Sequence, residues 1–422
     1  MTEKRFMALG ETQFSATLPN GLRIYYYPKP GFSKTFAMLA TNFGSVDESF
    51  TLDGKRYDTP TGVAHFLEHK MFEDEDGNAL QKFAATGASP NAFTSHVMTA
   101  YHFSCTDRFE ENLEILLRFV YTPYFTDENV EKEKGIIGQE IGMMDDTPGW
   151  QAMVGMFEGL YREHPVRRSI AGSVESIAKI TKETLFTCHR AFYSPSNMVL
   201  AVVGNADFET ICTMASKFSP AKSEKIGQRH YGSRRPAIAR NEVSRRMAVS
   251  LPTFMLGIKD EPLAEKESRM RRGILGDIAT TVLCGKTSPL YARLYEERLI
   301  NASFDVEYNL FPQAACAVFG GESRDPGAVR DAVLDEAAAL ALHGVDEALF
   351  ERVRNARYGM MLRALDEPDD FARMQVEAAF GGEEMLNFPA IFAELTARDV
   401  QDMLARWARP DRATLSVVEP LS

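Results

Sequence analysis

The pattern His65-Phe66-Leu67-Glu68-His69 is the sharpest chemical feature of the sequence. On a helix, at about 100° per residue, the side chains of His65, Glu68 and His69 lie at about 0°, 300° and 40° and share one face. Two imidazoles at positions i and i+4 can bind zinc, and the carboxylate beside them can reach a water molecule on the ion. The five-residue pattern can also arise by chance as a helix with two ordinary histidines.

A second segment offers the further ligand that a tetrahedral catalytic zinc site usually needs. Residues 127–144 have helical periodicity, and Glu140 lies about −20° from Glu133 around that helix. Both glutamates fall inside the apolar stripe, where a carboxylate is costly unless it is paired or bound to a metal. Together with His65 and His69, the two glutamates indicate a metal site. For each glutamate, a salt bridge with a distant arginine is the alternative.

Strand and helix signals in the first half show which elements must position these residues. Residues 14–27 predict a β-hairpin with a Pro-Asn-Gly turn, and residues 36–43 continue the strand pattern. Helical signals begin at Thr61, and the apolar alternation of residues 91–105 predicts one further strand. A turn at residues 193–197 and the buried strand that begins at Met198 close the first half.

The second half repeats the order of strand, helix, strand and long helices, and it ends with a strand from Ala413. The sequence therefore predicts an α+β fold with two similar domains, residues 1–218 and 247–422, each a mainly antiparallel sheet with helices packed on it. The metal residues lie in the first domain. Residues 219–246 mix Pro, Gly and basic residues with little apolar periodicity, which indicates an interdomain linker.

Composition and charge argue against two classes of protein, those that bind nucleic acid and those that span a membrane. The 422 residues carry 47 Lys and Arg against 59 Asp and Glu, a net charge of −12 that disfavours binding to nucleic acid. No apolar run has the roughly 18–20 residues of a membrane-spanning helix, and the N-terminus shows no apolar core of a secretion signal, so we expect a cytoplasmic protein without membrane insertion. The five cysteines are scattered and are expected to be buried hydrophobic residues.

Four stretches of the first half resemble the pitrilysin-type peptidases with an inverted zinc motif. The family includes pitrilysin, insulin-degrading enzyme, the β subunit of mitochondrial processing peptidase and short two-domain bacterial homologues. The second half resembles these proteins through its length and order of elements. The four stretches are Gly62–Glu73, Gly87–Ser95, Glu131–Glu140 and Phe192–Met198.

The resemblance implies a zinc-dependent endopeptidase that hydrolyses unstructured peptides or a specific precursor. It places the family's Zn²⁺ ligands on His65, His69 and Glu140, the general base on Glu68 and a supporting carboxylate on Glu133. It also implies that an extended peptide adds to a strand edge at Asn91, Ala92 and Phe93, for which ordinary strand packing is the alternative. A non-catalytic scaffold subunit is the competing function, and the intact set of site residues argues against it.

One departure from the family concerns the second half. Active relatives often carry an Arg and a Tyr there, and an ungapped alignment places Tyr295 and Ala302 at those positions. The chain is also about half as long as the single-chain members, which close two halves around a chamber. These features predict a heterodimer with a related subunit or a homodimer.

Overall fold

The structure, a computed structural model, describes residues 1–75 and 77–421 and is α+β, as predicted. The strands in chain order are β1 (Thr2–Phe6), β2 (Glu11–Thr17), β3 (Arg23–Pro28), β4 (Thr35–Thr41), β5 (Ser49–Leu52), β6 (Lys55–Asp58), β7 (Glu73–Asp74), β8 (Gly77–Asn78), β9 (Ser89–Thr94), β10 (Thr99–Cys105), β11 (Met198–Gly204), β12 (Ile226–Arg229), β13 (Glu242–Met247), β14 (Thr253–Asp260), β15 (Asp305–Phe311), β16 (Ala314–Glu322) and β17 (Ala413–Pro420).

Helices account for much of the remaining chain. They are α1 (Val63–Lys70), α2 (Ala79–Thr86), α3 (Phe109–Tyr121), α4 (Asp127–Asp145), α5 (Pro148–Leu160), α6 (Val174–Ile177), α7 (Lys182–Phe192), α8 (Phe208–Phe218), α9 (Arg269–Cys284), α10 (Pro289–Glu296), α11 (Pro326–His343), α12 (Glu347–Ala364), α13 (Pro368–Phe380), α14 (Phe388–Glu394) and α15 (Ala397–Trp407). Within the described residues, none is both long and apolar enough to cross a membrane.

The chain forms two compact units that are each assembled from separate segments. Unit 1 contains Met1–Gln139, Ser169–His230 and Leu362–Leu386. Unit 2 contains Glu140–Arg168, Tyr231–Met361 and the chain from Asn387 onward. The units differ from the contiguous halves 1–218 and 247–422 that the sequence predicts, since each unit includes one segment from the other half.

Unit 1 is built on a sheet with the strand order β1-β2-β3-β11-β4-β10-β9, antiparallel except for the parallel pair β3 and β11. The predicted hairpin of residues 14–27 is confirmed by the antiparallel register Phe14↔Tyr26. The prediction of a single strand over residues 91–105 is wrong, because the chain reverses between β9 and β10. Ser95 Oγ accepts hydrogen bonds from the backbone N–H groups of Val97 and Met98, so a polar side chain at one of the alternating positions stabilises the turn.

Helix α13 covers β11 and β4 of this sheet, although it lies late in the sequence. Its Phe371 ring lies 4.2 Å from the Tyr27 ring, centroid to centroid, and the Tyr27 hydroxyl donates to Gln375 Oε1. An apolar stripe marks the buried face of a helix but not the sheet it will cover, so periodicity could not assign this helix to unit 1.

Unit 2 is built on a sheet with the order β13-β17-β14-β16-β15, in which β13 and β17 are parallel. Helix α5, from the first half of the sequence, packs on β13, β14 and β17. Gly155 and Gly159 permit this close approach, since an added Cβ would lie 2.4 Å from Ser416 Oγ and 2.2 Å from Thr414 Cγ2, respectively.

The predicted linker, residues 219–246, contains two paired strands. β12 pairs with β5 in unit 1, and β13 pairs with β17 in unit 2. Both strands are polar and short, and a four- to six-residue strand of mixed polar residues leaves little apolar periodicity to detect.

Candidate active site

Helix α1 carries the His-x-x-Glu-His pattern, and its helical conformation was expected from the sequence. The helix follows Gly62, whose φ of 90° lies in the left-handed region, where an added Cβ would approach the Ala171 carbonyl oxygen at 2.4 Å. The buried face of the helix includes Val63, Phe66 and Leu67. This packing holds the backbone of α1, so the polar face that carries the two histidines is placed by a rigid element.

Helix α4 supplies the two glutamates, again as the sequence predicted. The division between the units falls at Gln139/Glu140 inside this helix, which continues without a break to Asp145, so Glu140 lies two turns after Glu133. Glu133 is buried in the same stripe as Val130 and Ile137, and Glu140 is half-buried. The prediction that both carboxylates lie within the apolar stripe agrees with this packing.

The structure brings the three expected metal ligands together. One ligand atom each from His65, His69 and Glu140 all lie within 4.8 Å of one another. Two imidazole nitrogens and one carboxylate oxygen form a ligand set found at catalytic zinc centres that keep a fourth coordination position for water or substrate. The chemistry and the spacing of these side chains therefore fit a zinc ion.

Glu133 orients the His69 ring by a hydrogen bond with the nitrogen that is not expected to bind the metal. His69 Nδ1 lies 3.1 Å from Glu133 Oε1, so His69 presents Nε2 as the nitrogen that can coordinate a metal. Burial opposes the ionisation of Glu133, but the hydrogen bond with His69 and the charge of Lys70 outweigh it, and the pKa of Glu133 lies below its ordinary value. The carboxylate is therefore ionised and suited to orient the His69 ring.

Lys70 is a residue of this site to which the sequence analysis assigned no role. Its side chain is fully buried, and its Nζ lies 2.6 Å from Glu73 Oε2 and 3.4 Å from Glu133 Oε2. The signal was present in the sequence, because a lysine follows His69 on a helix whose other face is apolar. Its burial became visible only with the packing of α1.

Glu68, the expected general base, is buried beside strand β9. Thr94 Oγ1 donates a hydrogen bond of 2.9 Å to Glu68 Oε2, which orients the carboxylate from the last residue of that strand. The hydroxyls of Tyr101 and Tyr193 lie 2.7 Å apart in the core. Burial foremost, with the neighbouring Glu68 charge adding to it, raises the pKa of both tyrosines, so they stay protonated.

The expected substrate contacts Asn91, Ala92 and Phe93 lie on β9 at the end of the unit 1 sheet. They pair with His102, Tyr101 and Ala100 of β10, which is the neighbour of β9 in the described sheet order. Their role in binding peptide stays a prediction.

The two positions of the family departure lie in unit 2. Tyr295 is exposed on α10, and Ala302 lies between α10 and β15. Their meaning for substrate binding also stays a prediction.

Comparisons with known proteins assign the chain to a family. Residues 52–174 match the model of insulinase (peptidase family M16), and residues 179–357 match the model of the peptidase M16 inactive domain. The uncharacterized zinc protease YmfH of Bacillus subtilis is 37% identical over 98% of each chain. An uncharacterized zinc protease of Streptomyces coelicolor is 26% identical over 96% of this chain and 89% of its own.

Solved structures agree with these relatives. The crystal structure of an M16-like peptidase from Alicyclobacillus acidocaldarius has a TM-score of 0.93 and 35% identity, and the match covers 98% of this chain and 99% of that one. Pitrilysin shares the fold at a TM-score of 0.77 and 16% identity, over 99% of this chain and 46% of its own. The chain therefore belongs to peptidase family M16, the insulinase family.

Proposed function

We propose that this protein is a zinc-dependent endopeptidase that hydrolyses unstructured peptides or one precursor peptide. The observation that carries the proposal is the convergence of ligand atoms from His65, His69 and Glu140 within 4.8 Å of one another, with Glu68 on the same helix as the two histidines. Membership of peptidase family M16 and the zinc protease names of the relatives support it.

The residues divide the chemistry between them. His65, His69 and Glu140 would hold Zn²⁺, which when bound supplies a Lewis acid that polarises a carbonyl and lowers the pKa of a water molecule. Glu68 takes a proton from the attacking water and later delivers it to the nitrogen of the leaving amine. Thr94 keeps the Glu68 carboxylate oriented, and Glu133 keeps the His69 ring oriented.

An extended substrate would add to the edge of β9 along Asn91, Ala92 and Phe93. Backbone hydrogen bonds at a sheet edge bind peptides with little regard to their sequence, which suits unstructured substrates. Because Thr94 belongs to the same strand and contacts Glu68, a peptide on this edge would lie beside the base.

Pairing with a related subunit or with a second copy is part of the proposal. It is supported by the residue types of Tyr295 and Ala302, which leave the supporting Arg and Tyr of the family to another chain. We further propose a reducing compartment such as the cytoplasm, because all five cysteines are free thiols in the core.

The test is cleavage of an internally quenched, unstructured peptide by the zinc-loaded chain. We expect Glu68→Gln to lower kcat/KM by about 10²–10⁴-fold while one zinc per chain remains bound. Glu131→Gln is the matched control, because Glu131 is an exposed glutamate of α4 in an ion pair with Lys134, and it should keep wild-type activity. Full activity of the zinc-bound Glu68→Gln chain would refute the assignment of the base.

The competing scaffold function predicts a different result. A zinc-free wild-type chain without cleavage, alone or mixed with a related subunit, would favour a non-catalytic role. Cleavage that appears only after the subunit is added would support the heterodimer.

A further inference from the structure

Lys70 lies inside the candidate zinc site without being a ligand. Its ammonium group has no exposed surface and contacts two carboxylates, Glu73 at 2.6 Å and Glu133 at 3.4 Å. A lysine is rarely buried unless its charge is compensated, and these two carboxylates compensate the charge of Lys70.

Glu133 is bound at both of its oxygens. Oε1 faces His69 Nδ1 at 3.1 Å, and Oε2 faces Lys70 Nζ at 3.4 Å. The carboxylate therefore bridges a buried cation and an expected metal ligand, and moving either neighbour would change the orientation of the other.

The charges around α1 explain why a cation is useful there. Glu68, Glu73, Glu133 and Glu140 bring up to four negative charges to this part of the molecule. Before a metal is bound, Lys70 compensates part of that charge. A dication that enters later compensates the same carboxylates and is repelled by the lysine, so the two cations oppose each other.

We propose that Lys70 is a positioning residue that holds Glu133 against His69 and compensates its charge in the metal-free protein, at the cost of weaker zinc binding. The inference rests on the proposed zinc site. The repulsion between the lysine and a bound dication outweighs the affinity gained by holding Glu133 and His69 in place, so the net effect of Lys70 is weaker zinc binding.

The experiment measures the melting temperature of the metal-free and zinc-loaded full chain, and the zinc dissociation constant by competition with a chelator. Lys70→Met replaces the ammonium by an unbranched apolar end of similar length. The metal-free variant should melt at least about 5 °C lower, because Glu133 is left as a buried charge without its cation. Zinc should then raise the melting temperature more than in the wild type and should bind about tenfold more tightly or better.

Two further variants separate charge from shape. Glu73→Gln removes the partly exposed partner of Lys70 and leaves the pair with Glu133 intact, so it should change both measurements less than Lys70→Met. The double variant Lys70→Met/Glu133→Gln removes both buried charges and should recover most of the metal-free stability that Lys70→Met loses.

Each outcome decides the question. Equal or weaker zinc binding by Lys70→Met would overturn the proposal, because it would show that the charge of Lys70 does not weaken zinc binding. If Lys70→Met does not fold, a double variant that folds supports charge compensation, and a double variant that is no more stable overturns it. A wild-type chain that binds no zinc would instead refute the proposed function, while the metal-free comparison of the variants would still test the charge pair.

Discussion

The two units share one arrangement of five strands but differ in the residues that lie between the outer strand and the helix next to it. In unit 1 the order β3-β11-β4-β10-β9 contains one parallel pair, β3 with β11, and ends in a hairpin whose outer strand contacts α1. In unit 2 the order β13-β17-β14-β16-β15 contains a parallel pair, β13 with β17, at the corresponding place. The outer strand β15 contacts α9. The difference between the units lies in the side chains between helix and outer strand.

In unit 2 this interface is packed tightly. Gly276 of α9 lies against Tyr308 of β15, and an added Cβ would lie 2.0 Å from the Tyr308 ring. In unit 1 the corresponding interface holds Glu68 of α1 and Thr94 of β9, joined by a hydrogen bond. In unit 1 the helix that carries this carboxylate also carries His65 and His69, so catalytic residue types lie beside the outer strand.

The partners of the buried charged side chains also differ between the two regions. In unit 2 the fully buried Asp260 accepts from Tyr308 Oη at 2.7 Å, Arg406 Nε at 3.2 Å and Arg272 Nη1 at 3.3 Å. Protein donors thus meet this carboxylate from three sides, which is the pattern of a structural network. Around helix α1, by contrast, the ligand atoms of His65, His69 and Glu140 lie close to one another, which is the arrangement of a metal site.

The largest effect is expected from Asp260→Ala. Removing the carboxylate leaves Arg272 and Arg406 without their shared partner, and we expect a loss of about 3–5 kcal/mol in the free energy of unfolding. Chemical denaturation with and without zinc measures it, and the loss should be the same in both conditions because this network is structural. Glu261→Ala, beside it in sequence but in an exposed ion pair, should cost about 0.5 kcal/mol or less. A loss at Asp260 that shrinks with zinc would contradict the distinction between the two networks.

Gly276→Ala should destabilise the protein by about 2–3 kcal/mol. The Tyr308 ring cannot move aside easily, because its hydroxyl is bound to Asp260, so overpacking outweighs the better helix propensity of alanine. The same substitution at Gly135 of α4, where an added Cβ meets nothing within 4 Å, should stabilise by up to about 1 kcal/mol. Thermal melting of both variants gives the comparison, and an equal sign for the two would refute the close packing of α9 on β15.

Acid should destabilise unit 2 through His164, by up to about 2 kcal/mol between pH 7 and pH 5. Burial lowers the pKa of His164 to about 4, with Lys259 contributing and the hydrogen bond to the Pro312 carbonyl opposing. Since the unfolded chain takes up a proton near pH 6.5 and the folded chain does not, stability falls as the pH drops from about 6.5 toward 4.

His164→Asn, which retains an acceptor for the Val166 N–H, should flatten this pH dependence. The exposed His343 provides the control, and His343→Asn should keep the wild-type dependence. Burial also lowers the pKa of His189 in unit 1 to about 4, so the two units resemble each other here, and His164→Asn should remove only the unit 2 share. An unchanged slope in His164→Asn would show that His164 is not the titrating group.

The local patterns of the sequence determined several parts of this protein. The helical period placed His65, Glu68 and His69 on one face, and it placed Glu133 and Glu140 within one stripe, because these relations depend only on residues within a few turns of each other. The Pro-Asn-Gly turn likewise predicted the hairpin of β2 and β3. The order of elements predicted two similar α+β domains, and the matching strand orders agree with it.

Only the tertiary structure decided which elements meet. Periodicity marks a buried face without naming its partner, so the exchange of α5 and α13 between the two halves could not be predicted. The turn between β9 and β10 contains neither Gly nor Pro and is stabilised by the Ser95 hydroxyl, so the alternation on both sides of it predicts one strand where the structure has two. The burial of Lys70 depends on Glu133, 63 residues away, and the free energy of a buried charge is set by such neighbours in space rather than along the chain.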